Sequence, residues 1–175
     1  VMHYGWARPL AVIGMLAALS ACNRGEETPP VDPAIAEAEA FMADNAKADG
    51  IQTTPSGIQY KVLKSGPTGG ESPDSNDLVS VHYEGTLTDG TVFDSSYQRG
   101  IPAVFTLNEV VPGWTEIVQR MKVGDEWLVY IPPELGYGAR SSGQIPPNSV
   151  LVFRMELLAM DRVPGEAPPR SAAMG

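Results

Sequence analysis

VSVHYEGTLTDGTVFDSS, residues 79–96, is the stretch of sequence that decides the fold of this chain. Apolar and polar residues alternate through its first half, and this period of two predicts a strand with one buried face. Asp89-Gly90 then predicts a tight hairpin turn, because glycine readily adopts the positive φ that such a turn requires. The second run ends in Phe93-Asp94-Ser95-Ser96 and brings a Phe-Asp pair onto the strand next to the one whose core face holds Tyr83. An apolar face that carries one carboxylate and one phenol predicts a binding pocket.

The rest of the chain predicts a small α+β domain around this hairpin. Four more segments have the period or the composition of strands, and they are Gln59–Lys64, Ala103–Leu107, Glu126–Ile131 and Val150–Leu158. A short helix is predicted from apolar residues at i, i+3, i+4 and i+7, namely Trp114, Ile117, Val118 and Met121. Pro112 can begin this helix and Gly124 can end it. Antiparallel strands with one short amphipathic helix predict a sheet that buries one face against that helix.

The N-terminal residues predict an export signal rather than part of the fold. Residues 1–21 place Arg8 before an apolar run that is too short to span a bilayer comfortably. Leu19-Ser20-Ala21-Cys22 matches the bacterial lipobox, in which the cysteine is acylated and becomes the first mature residue. The alternative is an ordinary signal peptide with an incidental cysteine. By analogy with lipoprotein sorting, Asn23 favours the outer membrane, with the protein facing the periplasm.

Residues 22–50 predict a polar tether followed by a short helix. Asp32-Pro33 is typical of an N-cap followed by proline at the first helical position, and Gly50 is a natural stop. The apolar stripe between them is thin, and an isolated helix of this length is marginal in water. The globular domain is predicted over residues 51–160. The Pro-, Ala- and Gly-rich segment 161–175 is predicted to be disordered.

Composition and residue inventory exclude several classes of protein. The chain has 12 basic and 21 acidic residues and a net charge of -9, with no basic stripe, so nucleic acid is not a predicted partner. His82 is the only histidine outside the predicted signal, and strand alternation turns it away from Tyr83 toward solvent. A hydrolase triad and a histidine-based zinc site are therefore not expected. No P-loop or dinucleotide fingerprint is found, and we predict neither a cofactor nor a metal.

Ordered motifs across roughly residues 58–160 are similar to those of the FKBP-type peptidyl-prolyl isomerases, the macrolide-binding immunophilins. Besides the hairpin, these motifs are EVVPGW at 109–114, KVG at 122–124, GYG at 136–138, IPP at 145–147 and LVF at 151–153. Each motif is weak alone, but their order and spacing together favour this family. The resemblance implies a curved antiparallel β-sheet wrapped around one short α-helix. It also implies an enzyme that isomerises X-Pro bonds, here in exported proteins.

The resemblance implies which residues form the site. The residues expected at the reacting bond are Tyr83, Phe93, Asp94, Trp114, Tyr137 and Phe153. Those expected to contact the substrate around it are Arg99, Glu109, Val110, Val111 and Ile145. Trp114 is expected to lie beneath the proline ring, and the Tyr137 hydroxyl to reach the substrate carbonyl. Without the resemblance, the apolar members of this set would be read as ordinary core residues.

Isomerisation of a prolyl bond requires neither a covalent intermediate nor a metal. The barrier is rotation about a C–N bond with partial double-bond character, about 18–20 kcal/mol. An enzyme must bind the twisted amide better than the planar one. Twisting weakens the resonance that makes the amide strongly dipolar, so a dry aromatic pocket should disfavour the planar form. The residue types expected at the site, largely aromatic with few polar groups, fit this chemistry.

The predicted partners are proline-containing polypeptides, the membrane through lipidated Cys22, and a macrolide ligand. The alternative function is a non-catalytic chaperone or binding module with the FKBP fold. Ala103 and Gln144 depart from the family pattern, because they make the rim of the site smaller or more polar. These departures weigh against tight macrolide binding more than against isomerisation.

Overall fold

The part of the chain that the structure describes contains an antiparallel sheet of seven strands. The computed structural model describes residues 32–165. In chain order the strands are β1 (Gln52–Thr53), β2 (Gln59–Lys64), β3 (Leu78–Thr86), β4 (Val92–Ser95), β5 (Ala103–Thr106), β6 (Glu126–Ile131) and β7 (Leu151–Asp161). Their order across the sheet is β1-β2-β6-β7-β3-β4, and β5 pairs with the half of β3 that β4 leaves free. The predicted α+β class with an antiparallel sheet is confirmed.

The core lies between one face of the sheet and helix α3 (Pro112–Val118). Along β3 the predicted alternation is confirmed, since Val79, Val81 and Tyr83 are buried while the residues between them are partly exposed. Pro112 occupies the first turn of α3, as predicted. Gly113 lets this helix approach β6 closely, because a Cβ there would lie only 2.5 Å from Ile131 Cγ2.

Helix α3 ends earlier than the sequence predicts. Its last residue is Val118, whereas Gly124 was the predicted end and Met121 lies buried in the turn that follows. The carboxylate of Asp125 accepts hydrogen bonds from the backbone N–H of Lys122 at 2.9 Å and of Gly66 at 2.6 Å. Between the helix and this turn, the N–H groups of Arg120 and Met121 donate to carbonyls three residues earlier, at 3.0 and 3.1 Å, so Met121 is buried in a tighter turn rather than in the helix.

Further strand boundaries differ from the prediction, and the two-residue strand β1 and one short α-helix are new. Residues 107–109 form a 3₁₀ turn, so β5 ends at Thr106 rather than Leu107. A short helix, α2 (Ser96–Arg99), follows β4, because the Ser95 side chain accepts a hydrogen bond from the Gln98 N–H. β7 continues three residues beyond the predicted end at Leu158.

The residues after β7 are held to the body of the domain. The Arg162 guanidinium pairs with Asp74 at 2.7 Å and with buried Asp77 at 3.2 Å. The Val163 N–H donates to the other Asp77 oxygen at 3.2 Å. The prediction that residues 161–175 are disordered is therefore wrong for the first of these residues. Residues 166–175 lie outside the described part of the chain.

Helix α1 (Pro33–Asn45) precedes the sheet and begins as the sequence predicts. Asp32 is its N-cap, with one carboxylate oxygen accepting the Ala34 N–H at 3.0 Å. The helix ends at Asn45, and the turns that follow lead to Gly50, whose φ is +76°. Ala38 is its one buried residue, in agreement with the thin apolar stripe.

Several predictions fall on residues that the structure does not describe. These are the signal peptide at 1–21, the lipidation site at Cys22 and the tether that precedes Asp32. Between residues 32 and 165, no helix is both long enough and apolar enough to cross a membrane.

Candidate active site

A cavity of about 380 Å³ lies where α3 meets β3, β4 and β7. Its lining residues are Tyr83, Phe93, Asp94, Phe105, Glu109, Val110, Val111, Trp114, Tyr137 and Phe153. These residues are supplied by four strands, by α3 with the turn before it, and by the loop between β6 and β7. The cavity therefore exists only in the folded chain.

Trp114 forms the aromatic base of this cavity. It lies in the first turn of α3, directly after Gly113, and only 4% of its surface is exposed. Three rings meet it edge to face, with centroids at 5.1 Å for Tyr83, 5.5 Å for Phe105 and 5.2 Å for Phe153. Edge-to-face contacts are a preferred geometry of aromatic pairs, so each ring helps to hold the indole in one orientation.

A glycine on β3 makes room for the aromatic walls. A Cβ at Gly85 would lie 2.6 Å from the Phe93 ring and 2.8 Å from the Phe153 ring. These two rings meet edge to face, with centroids 5.6 Å apart. Any larger residue at position 85 would therefore force these two rings to shift.

The polar part of the site is a connected group of three side chains. The Tyr83 hydroxyl and the Arg99 guanidinium each donate to one oxygen of the Asp94 carboxylate. Arg99 also donates to the Tyr83 hydroxyl oxygen at 3.1 Å, and its guanidinium carbon lies 5.7 Å from the centre of the Tyr83 ring. Arg99 ends α2, so this short helix fixes the cation beside the carboxylate.

This group keeps Asp94 ionised and Tyr83 protonated over a wide range of pH. Burial alone would raise the pKa of Asp94. The hydrogen bonds from Tyr83 and Arg99 and the charge of Arg99 outweigh this effect of burial, and the pKa of Asp94 therefore lies below its ordinary value of 3.8. Burial, followed by the hydrogen bond to Asp94, raises the pKa of Tyr83 above 10.0. The cavity therefore presents a carboxylate and a neutral phenol at neutral pH.

The loop between β6 and β7 contributes the outer wall. Tyr137 lines the main cavity with 38% of its surface exposed. It also lines a smaller adjoining hollow with Phe93, Asp94, Gln144 and Ile145. Ile145 itself is buried. Trp114 and Tyr137 thus face one shared cavity, and Ile145 lies beside it rather than within it.

The structure brings together nearly all the residues that the sequence singled out. Arg99 does not line the cavity but reaches it through Asp94. Ala103 pairs with Val81 in the sheet and is also absent from the lining. Phe105 lines the cavity, although the sequence placed it only in a strand. The period of two along the predicted strand 103–107 was the one available signal for it, because alternate residues of a strand share a face.

His82 lies on the other side of β3, as strand alternation predicts. Its ring stacks on Tyr97 with centroids 4.7 Å apart, and its Nδ1 is 2.9 Å from the Ser96 hydroxyl oxygen. It is partly covered by these contacts rather than freely solvated. Within residues 32–165, no group of three or more His, Cys, Asp or Glu side chains is placed to hold a metal ion.

The antiparallel sheet, the short helix packed on it and the aromatic cavity between them define an α+β domain with an apolar ligand site, and comparison with known proteins gives its family. The family model described as FKBP-type peptidyl-prolyl cis-trans isomerase matches residues 69–158. A second model, for the domain amino-terminal to such isomerases, matches residues 15–62. The chain belongs to the FKBP-type peptidyl-prolyl cis-trans isomerase family.

Individual relatives agree with this assignment. The FKBP-type isomerase FkpA of Aeromonas hydrophila is 53% identical over 124 residues, which are 71% of this chain and 46% of that protein. The outer membrane protein MIP of Legionella longbeachae is 44% identical over 73% of this chain and 54% of its own length. The crystal structure of a peptidyl-prolyl isomerase from Pseudomonas syringae matches with a TM-score of 0.70 and 37% identity, covering 76% of this chain and 97% of that one. The chain spans about half the length of the first two relatives.

Proposed function

We propose that this protein is a peptidyl-prolyl cis-trans isomerase that accelerates X-Pro isomerisation in exported polypeptides. The observation that carries the proposal is the cavity above Trp114, in which aromatic and aliphatic walls surround one hydrogen-bonded carboxylate–phenol pair. A proline ring fits such walls, because it is apolar and has no backbone N–H to satisfy. Family membership supports the same activity.

The cavity can favour the twisted amide in two ways. Its apolar aromatic walls solvate a strongly dipolar group poorly, so contact with them disfavours the planar amide relative to the twisted form. Donors fixed near the rotated carbonyl would strengthen this preference, because they need no reorganisation during the reaction. We assign such a donor role to the Tyr137 hydroxyl. Bond rotation then proceeds without proton transfer, covalent intermediate or cofactor.

Each remaining site residue has a role in this scheme. Trp114 supports the proline ring, and Phe93, Phe153 and Tyr83 form walls around it. Asp94 accepts from Tyr83 and Arg99, so it holds these side chains in place and offers a polar edge to the substrate. The other substrate contacts are assigned to Glu109, Val110, Val111 and Ile145.

A refolding assay tests the activity directly. The chain is added to a tester protein whose slow refolding phase is limited by prolyl isomerisation, a step that takes tens to hundreds of seconds uncatalysed. We expect the slow phase to accelerate in proportion to the concentration of the chain. A variant with Trp114→Ala serves as the comparison. If the slow phase keeps its rate while aggregation of the tester falls, the protein is a non-catalytic chaperone and the isomerase proposal is wrong.

We further infer a location in the cell envelope, with a lipid anchor at Cys22 and the domain facing the periplasm. The lipobox at residues 19–22 supports the anchor, and the relative from Legionella longbeachae is named an outer membrane protein. Mass spectrometry of the membrane fraction tests the anchor. An unmodified and freely soluble product would contradict it.

A macrolide is proposed as a second ligand of the same cavity. The apolar walls suit it, whereas Gln144 makes the adjoining hollow more polar. We therefore expect a macrolide to inhibit the isomerase competitively but weakly. If added peptide substrate does not relieve the inhibition, the macrolide binds at another site and the proposal is wrong.

A further inference from the structure

A second and larger hollow, separate from the prolyl cavity, runs between α1 and the loop that follows β6. It has a volume of about 590 Å³, and we call it the α1 groove. Its lining residues are Ile35, Ala38, Glu39, Met42, Ala43, Ala46, Thr53, Gly57, Gln59, Pro132, Pro133, Glu134, Gly138, Ala139 and Asn148. None of them lines the prolyl cavity. Most of these side chains are apolar, although Ile35 is 38% exposed.

The walls of the α1 groove are fixed, because α1 is fastened at both ends. At its N-terminus, Asn148 Nδ2 donates to the Asp32 carboxylate at 3.0 Å. Near its C-terminus, the buried Gln59 donates to the Met42 carbonyl at 2.7 Å and accepts from the Asn45 amide at 2.8 Å. The groove is therefore preformed, as binding sites usually are.

The length of the groove fits an extended polypeptide segment. Its lining residues on this side run from Ile35 in α1 to Ala46, the residue after the helix, which is about 16 Å at 1.5 Å per residue. An extended chain rises 3.2–3.4 Å per residue, so about five residues would lie along the groove. The apolar lining would accept their side chains.

The charge of the groove lining determines which kind of polypeptide segment it can bind. Glu39 on the helix and Glu134 on the facing loop both line the groove, and neither is ion-paired with another of the described residues. No Lys or Arg belongs to the lining. The chain as a whole carries a net charge of -9. An occupant with a basic side chain would be attracted to these carboxylates, and an acidic one would be repelled.

We propose that the α1 groove binds an extended, apolar polypeptide segment that carries lysine or arginine. This site goes beyond the proposed isomerase activity and needs no proline in its ligand. Gly138 and Ala139 in its wall directly follow Tyr137, so the occupant would contact the back of the loop that forms the outer wall of the prolyl cavity. A polypeptide held there would keep one part of a client bound while another part reached the prolyl cavity.

Fluorescence anisotropy of the full chain with a labelled, proline-free peptide of leucine, alanine and lysine tests the proposal. The double variant Glu39→Gln/Glu134→Gln should weaken binding about fivefold, which corresponds to the loss of two exposed charge contacts. Glu37→Gln is the matched control, because Glu37 lies on the same helix but lines a different hollow, and it should leave binding unchanged. Ala43→Trp should fill the groove and abolish binding. Circular dichroism checks that each variant is folded.

Competition and oligomeric state complete the test. A proline-containing tetrapeptide at saturating concentration should not displace the labelled lysine peptide. A second labelled peptide, in which glutamate replaces each lysine, should not bind. The proposal is overturned if the lysine peptide fails to bind or if the proline-containing tetrapeptide displaces it. It is also overturned if the Glu39→Gln/Glu134→Gln variant binds the lysine peptide as tightly as the unmodified chain does. Sedimentation that shows a dimer disrupted by Ala43→Trp would assign the groove to a second copy of the chain and would also overturn it.

Discussion

Replacement of Tyr83 by phenylalanine separates the polar function of this residue from its packing. The Phe side chain keeps the ring that meets Trp114 edge to face at 5.1 Å. It removes only the hydroxyl, which donates to Asp94 and accepts from Arg99 at 3.1 Å. After the change, one oxygen of the Asp94 carboxylate loses its phenol donor while Arg99 still holds the other.

The structure sets the size of the effect. A hydrogen bond to a charged group contributes about 1.5–3 kcal/mol to stability, and solvent screening reduces this figure where the groups are exposed. The Asp94 side chain is 41% exposed, so screening is substantial. We therefore expect the free energy of unfolding to fall by about 1 kcal/mol. If the same hydrogen bond also holds Asp94 in the orientation that stabilises the twisted amide, the same loss of about 1 kcal/mol in the transition state lowers the isomerisation rate about fivefold.

Two measurements on the same variant check this reasoning. Urea denaturation gives the change in the free energy of unfolding, and proline-limited refolding of a tester protein gives the rate. Tyr60→Phe is the matched control, since it removes a hydroxyl that bonds Gln52 at 3.2 Å outside the cavity. The control should keep the full isomerisation rate. A Tyr83→Phe variant with the full isomerisation rate would refute the assignment of the Tyr83–Asp94 pair to the site.

Three further predictions concern the base of the cavity, the attachment of α1 and the pH profile. Trp114→Ala should lower the free energy of unfolding by about 3 kcal/mol, because the indole is buried, and should abolish measurable isomerisation; a loss of stability with full activity would contradict its role. Asn148→Gly keeps the backbone at φ 58° but removes the hydrogen bond to Asp32, so hydrogen exchange at the start of α1 should become faster; unchanged exchange would show that this bond does not hold the helix. The isomerisation rate should be flat between about pH 5 and pH 9, because the pKa of Asp94 is lowered and that of Tyr83 is raised.

The signs of the pH effects follow from these two shifts. The lowered pKa of Asp94 adds stability that is fully present above its ordinary pKa of 3.8 and is lost as the pH falls through the folded value. The raised pKa of Tyr83 adds stability that is present below 10.0 and is lost as the pH rises through the folded value. Urea titrations at several pH values check both signs. An inflection of the rate near neutral pH would contradict the assignment of Asp94 and Tyr83 to the site.

The helix boundaries show where local sequence rules reach their limit. The N-cap Asp32 and the first-turn Pro112 mark the starts of α1 and α3 correctly, because both act through backbone groups within a few residues. The turn that follows α3 is held by Asp125, which accepts a hydrogen bond from the backbone N–H of Gly66, 59 residues earlier in the chain. No local pattern contains that contact, and the predicted end near Gly124 was therefore wrong.

The candidate site shows the same division. Alternation along the first strand of the hairpin placed Tyr83 on the core face, but it could not tell a cavity wall from ordinary core. The resemblance selected most of the lining residues, and it missed Phe105, which the fold brings edge to face with Trp114. The α1 groove had no signal in the sequence, since its two walls are separated by about ninety residues of chain.

The sequence by itself determined the strand periods, the helix starts, the family motifs and the acidic charge, because these depend on neighbours along the chain or on composition. The tertiary structure alone decided that a carboxylate from one strand, a phenol from another and a guanidinium from a short helix share their hydrogen bonds beside an aromatic base. Those contacts join residues distant in sequence, and their geometry follows from how the sheet and α3 pack together.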